Sequence, residues 1–147
     1  MQVDVRTEIT IDRPRAIVAE YAADPDNAPH WYVNIKSVEW KTPRPLSVGS
    51  KIAFVAAFLG RRLAYTYEIV TLDPGDRLVM RTAEGPFPME TQYEWLSIAA
   101  NLTRMRLRNR GNPAGFSRLA APLMAFAMRR ANRKDLEKLK QILERNS

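Results

Sequence analysis

The chain predicts an α+β fold, a curved antiparallel sheet of seven strands wrapped around one long C-terminal helix, with two short helices between strands one and two. Short segments of alternating polar and apolar residues, divided by turn-rich stretches, occupy most of residues 1–110. They stop at Gly111-Asn112-Pro113-Ala114-Gly115. From there to about Asn146 an Ala- and Met-rich tract carries apolar residues at helical spacing. A single long helix beside so many strands finds its burial partner when the sheet curls around it. That arrangement tends to leave a cavity between the two, so the expected function is to hold an apolar small molecule.

The first strand is read from Val3, Val5, Thr7, Ile9 and Ile11, which alternate with Gln2, Asp4, Arg6, Glu8 and Thr10. Asp12-Arg13-Pro14 follows, with an acceptor side chain at N-cap spacing and an early proline, and predicts a helix start. That helix runs through Ile17, Val18 and Tyr21 to Asp24-Pro25, and a second short one covers Asp26 to Trp31. The remaining strands read as a meander: 33–41, 51–59, 62–72, 77–83, 89–98 and 102–110. Asp73-Pro74-Gly75-Asp76 is a turn, and Gly85-Pro86-Phe87-Pro88 a rigid loop near the expected cavity mouth.

The long helix places Phe116, Leu119, Ala120, Leu123, Met124, Ala127, Met128 and Ala131 on one face, then Leu136, Leu139, Ile142 and Leu143. The stripe drifts in phase around residue 132. Pro122 falls inside the pattern and predicts a kink or a late helix start.

At 147 residues the chain fits a single domain spanning 1–147. It has no repeats, no linker and no apolar run near the roughly 20 residues of a membrane span. The N-terminus lacks the layout of a secretory signal, and with no cysteine there is no disulfide framework or thiolate nucleophile. A cytoplasmic protein, monomeric or homodimeric, is the expectation. Charge is uneven: residues 1–100 carry 11 Lys+Arg against 13 Asp+Glu, and residues 101–147 carry 12 against 3.

The element order, with Ile9-Thr10-Ile11-Asp12-Arg13-Pro14 entering the first helix and Ala23-Asp24-Pro25 with Trp31 bounding the second, resembles the helix-grip fold of the START-like (SRPBCC) superfamily. Val48-Gly49-Ser50 before the third strand, and Leu72-Asp73-Pro74-Gly75-Asp76-Arg77-Leu78 after the fourth, resemble its polyketide cyclase/dehydrase branch. The resemblance covers essentially the whole chain and implies a ligand cavity. Its members include carriers, lipid-transfer modules, aromatase/cyclases and quinone-binding proteins, so the fold leaves function open.

Strand alternation divides the residues between the two faces. Tyr65, Tyr67 and Ile69 are expected inward, as are Thr91, Tyr93 and Trp95, and Thr103, Met105, Leu107 and Asn109. Phe54, Phe58, Leu78 and Met80 complete the sheet's share. The expected ligand-binding set is Phe54, Phe58, Tyr65, Tyr67, Met80, Thr91, Tyr93, Trp95, Met105 and Leu107, with Phe116, Leu119, Ala120, Leu123, Met124 and Ala127 from the helix. Such a wall suits a lipid-like, polyketide-like or aromatic ligand oriented by hydroxyls. The same side chains would also simply fill a core.

No catalytic motif is visible, and binding without chemistry is the favoured reading over a cyclase- or dehydrase-type enzyme. His30 is the sole histidine and has no partner acid or nucleophile in sequence, so neither a metal nor another cofactor is expected. Glu39 and Glu84 are the acids nearest a plausible rim, with surface positions favoured. Arg104, Arg106, Arg108 and Arg110 form a row that could grip phosphates. Their expected neighbours Asp4, Glu8, Glu90 and Glu94 neutralise it, which argues against nucleic acid. Arg129, Arg130, Arg133, Lys134, Lys138, Lys140 and Arg145 line the outer side of the helix. They admit contact with an anionic membrane, as in a membrane-associated lipid- or quinone-binding module, but a solvated helix face is favoured because its apolar side is taken by the sheet.

Overall fold

The computed structural model describes residues 2–112 and 121–145. Strand β1 (Val3–Ile11) leads into helix α1 (Arg15–Ala23), a single 3-10 turn (Pro25–Asn27) and helix α2 (Ala28–Trp31). Strands β2 (Ile35–Trp40), β3 (Lys51–Phe58), β4 (Arg61–Asp73), β5 (Arg77–Glu84), β6 (Met89–Ala99) and β7 (Leu102–Gly111) follow, and helix α3 (Ala121–Arg145) closes the chain. The sheet order is β1-β7-β6-β5-β4-β3-β2, antiparallel throughout. Six strands are thus a meander, and α1 and α2 bridge from one sheet edge to the other.

Register irregularities fall between Ile35 and Ser37, Thr66 and Tyr67, Ile69 and Thr71, and Ser97 and Ala99. Each adds local twist, which is how a seven-stranded sheet curls into a half-barrel around α3. The β3–β4 hairpin turns through Leu59 and Gly60, both at positive φ (49° and 77°). That backbone matches strand twist in a two-residue hairpin but strains leucine.

One expectation about a helix start is adjusted. Helix α1 begins at Arg15 with Pro14 in the capping position and no side-chain cap, so Asp12 does not cap it. Instead the Asp12 backbone N–H donates to Glu144 of α3 at 2.8 Å. In α3 Pro122 is the second described residue, and the kink or late start expected there falls at the edge of the described residues. The helix expected over 114–120 lies outside the described residues.

The core forms two clusters. One gathers Ile11, Val18, Trp31, Ile52, Leu78, Met105, Leu107, Leu136, Leu139 and Leu143 under α1 and the C-terminal half of α3. The other gathers Val3, Val5, Leu63, Phe87, Met124 and Met128 under its N-terminal half. On the outer sheet face the register sets Arg106 between Glu8 and Glu94, and Arg110 between Asp4 and Glu90. Arg108 pairs with Asp4 at 2.6 Å, Arg106 with Glu8 at 3.2 Å, and Glu90 with both Arg81 and Arg110. The arginine row is interleaved with acids, as alternation predicts.

Candidate functional site

A cavity of about 180 Å³ lies between the sheet and α3 and draws its wall from both core clusters. Strand alternation aims Ile52, Phe54, Ala56 and Phe58 of β3 into it, facing Leu63, Tyr65, Tyr67 and Ile69 of β4. Leu78 and Met80 of β5, Thr91 and Tyr93 of β6 and Asn109 of β7 continue the floor. The roof is Met124, Met128, Ala131, Asn132 and Asp135 of α3. Residues at the α1–α2 junction, from Ala22 to Ala28, close one side.

Within the loop after β5, Gly85 has no side chain where a Cβ would stand 2.7 Å from Tyr65 Cδ1. Glycine therefore lets this loop close on the tyrosine ring, and Phe87 meets Tyr65 edge-on at a centroid distance of 5.6 Å.

Of the residues predicted from sequence to touch ligand, Phe54, Phe58, Tyr65, Tyr67, Met80, Thr91, Tyr93 and Met124 stand in the cavity wall. Trp95, Met105 and Leu107 lie deeper, packed in the larger core cluster rather than in the wall. Ala127 is half-buried and outside the wall, and Leu123 is 60% exposed, on the opposite flank of α3. Adjacent apolar residues at 123 and 124 allow either phase for the helix stripe, and packing chose Met124. Phe116, Leu119 and Ala120 lie outside the described residues. His30 is exposed on α2 and stands outside the wall, as do the exposed Glu39 and Glu84.

The structure adds a group of polar residues that sequence reasoning missed. Asp135 and Asn132, one turn apart on α3, are 3% and 6% exposed and both face the cavity. The Val33 backbone N–H donates to Asp135 Oδ1 at 2.9 Å. Burial nevertheless pushes the Asp135 carboxyl up to about 7, outweighing the Val33 hydrogen bond and the charge of Lys138. Asn132 Nδ2 is buried and finds no hydrogen-bond partner among the described residues. The signal existed in the sequence: the drift of the apolar stripe near residue 132 is where the inward positions turn polar.

Two further pairs of polar groups complete the wall. The Tyr32 and Tyr93 hydroxyls hydrogen-bond at 2.5 Å, with both rings against Trp31. Burial raises both phenols far above the ordinary tyrosine range, and the charge of Asp135 raises them further. The Thr91 hydroxyl donates to Asn109 Oδ1 at 2.6 Å. Burial raises Tyr67 to about 12, against opposing hydrogen bonds with Thr91 and Thr82. All three tyrosines are therefore neutral hydrogen-bonding groups near neutral pH.

No group of three or more metal-ligating side chains occurs among the described residues. No helix among them is long and apolar enough to cross a membrane.

A curled antiparallel sheet gripping a C-terminal helix defines the START-like class of proteins with a hydrophobic ligand-binding fold. The chain belongs to the family described as polyketide cyclase / dehydrase and lipid transport, whose model matches residues 2–144. Among solved structures it is similar to a START superfamily protein from Mycobacterium smegmatis, with 10% identity, a TM-score of 0.84, and 98% of this chain and 99% of that one covered. It is also similar to the Zhui aromatase/cyclase of a Streptomyces species, with 18% identity, a TM-score of 0.80, and 99% and 95% covered. A Thermus thermophilus protein aligns with 21% identity and a TM-score of 0.82, over 98% of this chain and 99% of that one. At these identities the likeness is one of fold. No curated protein sequence matches the chain.

Proposed function

We propose that this protein, acting as one domain, binds a small hydrophobic molecule in the cavity between sheet and α3. The supporting observation is the cavity itself. About 180 Å³ of space separates two packed core clusters and is walled by Phe54, Phe58, Tyr65, Tyr67, Met80 and Met124. An apolar space of about 150 Å³ is enough to hold benzene. Burial of apolar ligand surface, at about 25 cal/mol per Å², supplies the affinity, and the wall's hydroxyls orient the ligand. The shape and lining suit an aromatic or short lipid-like or polyketide-like molecule.

The test is titration with the neutral dye Nile red, alongside native mass spectrometry of the purified protein for a bound passenger. Ala56 lines the cavity, so Ala56→Trp fills it while strand β3 keeps its register. The expected result is dye fluorescence that saturates with the wild-type protein and disappears in Ala56→Trp while the circular dichroism spectrum is unchanged. Equal dye binding by both proteins would reject the cavity as the site.

One observation favours a second reading, an enzyme of the cyclase or dehydrase type. Asp135 is a buried carboxyl in the cavity wall with its pKa raised to about 7, where a side chain both accepts and donates protons near neutral pH. In that reading the cavity fixes substrate shape and Asp135 moves the proton. Turnover of an extracted passenger that is lost in Asp135→Asn, with binding retained, would establish it. Binding without turnover would leave the carrier.

A further inference from the structure

The charge inside the cavity is opposite to that of the chain. The protein has a net charge of +7, yet among the described residues the wall holds two carboxylates, Asp24 and Asp135, and no Lys, Arg or His. Asp24 has a local task, accepting the Asp26 N–H at the start of the 3-10 turn. Asp135 accepts a single backbone N–H and forms no ion pair among the described residues. Lys138, exposed on the same helix, is the cation whose charge reaches it.

An ionised carboxylate buried without a counter-charge is costly, and proteins remove that cost with a proton or a cation. The surroundings of Asp135 fit a cation. Asn132, one turn earlier, presents an amide to the same space; its Nδ2 donor has no partner among the described residues, so the amide serves a cation only in the flipped orientation that presents Oδ1. Tyr32 and Tyr93 also line the cavity, and their phenols respond to the Asp135 charge. Tyrosine rings in the same wall as a carboxylate are favourable partners for an ammonium group.

We propose that Asn132, Asp135, Tyr32 and Tyr93 form a head-group site for the protonated nitrogen of a small hydrophobic amine, and that this site turns away carboxylates. The proposal rests on the ligand cavity argued above. The ammonium donates to the Asp135 carboxylate and to Asn132 Oδ1, which a turn of the unrestrained amide presents. The apolar body lies toward Phe54, Tyr65, Tyr67 and Met124. Both tyrosines stay neutral across neutral pH, and among these groups Asp135 is the one raised into that range.

The experiment compares phenethylamine, phenethyl alcohol and phenylacetate as competitors of Nile red. Near pH 8 the amine is expected to bind about tenfold more tightly than the alcohol, and phenylacetate more weakly than both. Lowering the pH to about 6 protonates Asp135 and is expected to weaken the amine about tenfold while the alcohol changes little. Asp135→Asn should erase the amine's advantage over the alcohol, and Asn132→Leu should reduce it. Alcohol or phenylacetate matching the amine, or an amine advantage surviving in Asp135→Asn, overturns the proposal. Dye binding with no amine preference rejects the head-group site alone, whereas a wild-type protein that binds no dye rejects the cavity as well.

Discussion

On the outer face of the sheet Asp4, Glu8 and Glu90 each meet an arginine across a neighbouring strand, whereas inside the cavity Asp135 meets no cation at hydrogen-bonding range among the described residues. The outer pairs hold Asp4 below the usual carboxylate range, chiefly through the Arg108 hydrogen bond, while burial holds Asp135 well above it. Solvated charges in pairs cost little to place and contribute little, because water screens both terms. A lone buried carboxylate costs stability, and a fold keeps such a group where it serves a ligand or a reaction.

The sharpest test of this contrast is a pair of inner-face substitutions with opposite signs. Leu107 is fully buried beneath the cavity in the larger cluster, so Leu107→Ala is expected to lower stability by about 3 kcal/mol in urea unfolding. Asp135→Asn is expected to raise stability near pH 8, because the amide keeps an acceptor for Val33 and has no charge to bury. The Asp135 carboxyl has a folded pKa of about 7 against 3.8 in the unfolded chain. Below about pH 4 it is protonated in both states and costs nothing. Between those values the unfolded state loses its proton first, so stability falls as pH rises, by about 4 kcal/mol at most. The gain in Asp135→Asn should therefore be about 2–4 kcal/mol near pH 8 and vanish near pH 4. A gain independent of pH would show that Asp135 is not the buried anion.

Smaller effects separate the polar wall from the ladder. Tyr93→Phe removes one hydroxyl of the Tyr32–Tyr93 pair and leaves the other without that partner, at a cost of about 1–2 kcal/mol. In the exposed Arg106–Glu8 pair, a double-mutant cycle with Arg106→Gln and Glu8→Gln is expected to give a coupling under about 1 kcal/mol that disappears in 1 M salt, on the scale typical of exposed pairs. A coupling as large as the Asp135 effect would break the contrast. Smallest in reach is the hairpin tip, where Leu59→Asn suits the positive φ better and should stabilise by a few tenths to about 1 kcal/mol in thermal unfolding.

Much of this architecture was legible residue by residue. Strict alternation in β1, β4, β6 and β7 assigned Val5, Tyr67, Tyr93 and Leu107 to the inside and the arginine row to the outside. Period two links each side chain to a face without knowledge of its neighbours. Helix α3 was harder: Leu123 and Met124 each satisfied the apolar spacing, and only packing against Val3, Val5 and Phe87 chose Met124. Asp135 was hidden for the same reason, since a carboxylate among Arg133, Lys134 and Lys138 reads as one more residue of a solvated face.

The chain's local pattern therefore carried the element order and the faces of the strands, because each depends on residues a few positions apart. The curl of the sheet around α3 decided what lies inside. It set Asn132 and Asp135 in one wall with Tyr93 of β6 and with Tyr32, the residue after α2, a meeting of side chains some 40 to 100 positions apart. Desolvation gives that carboxylate its altered pKa, and desolvation exists only once the sheet has closed over it.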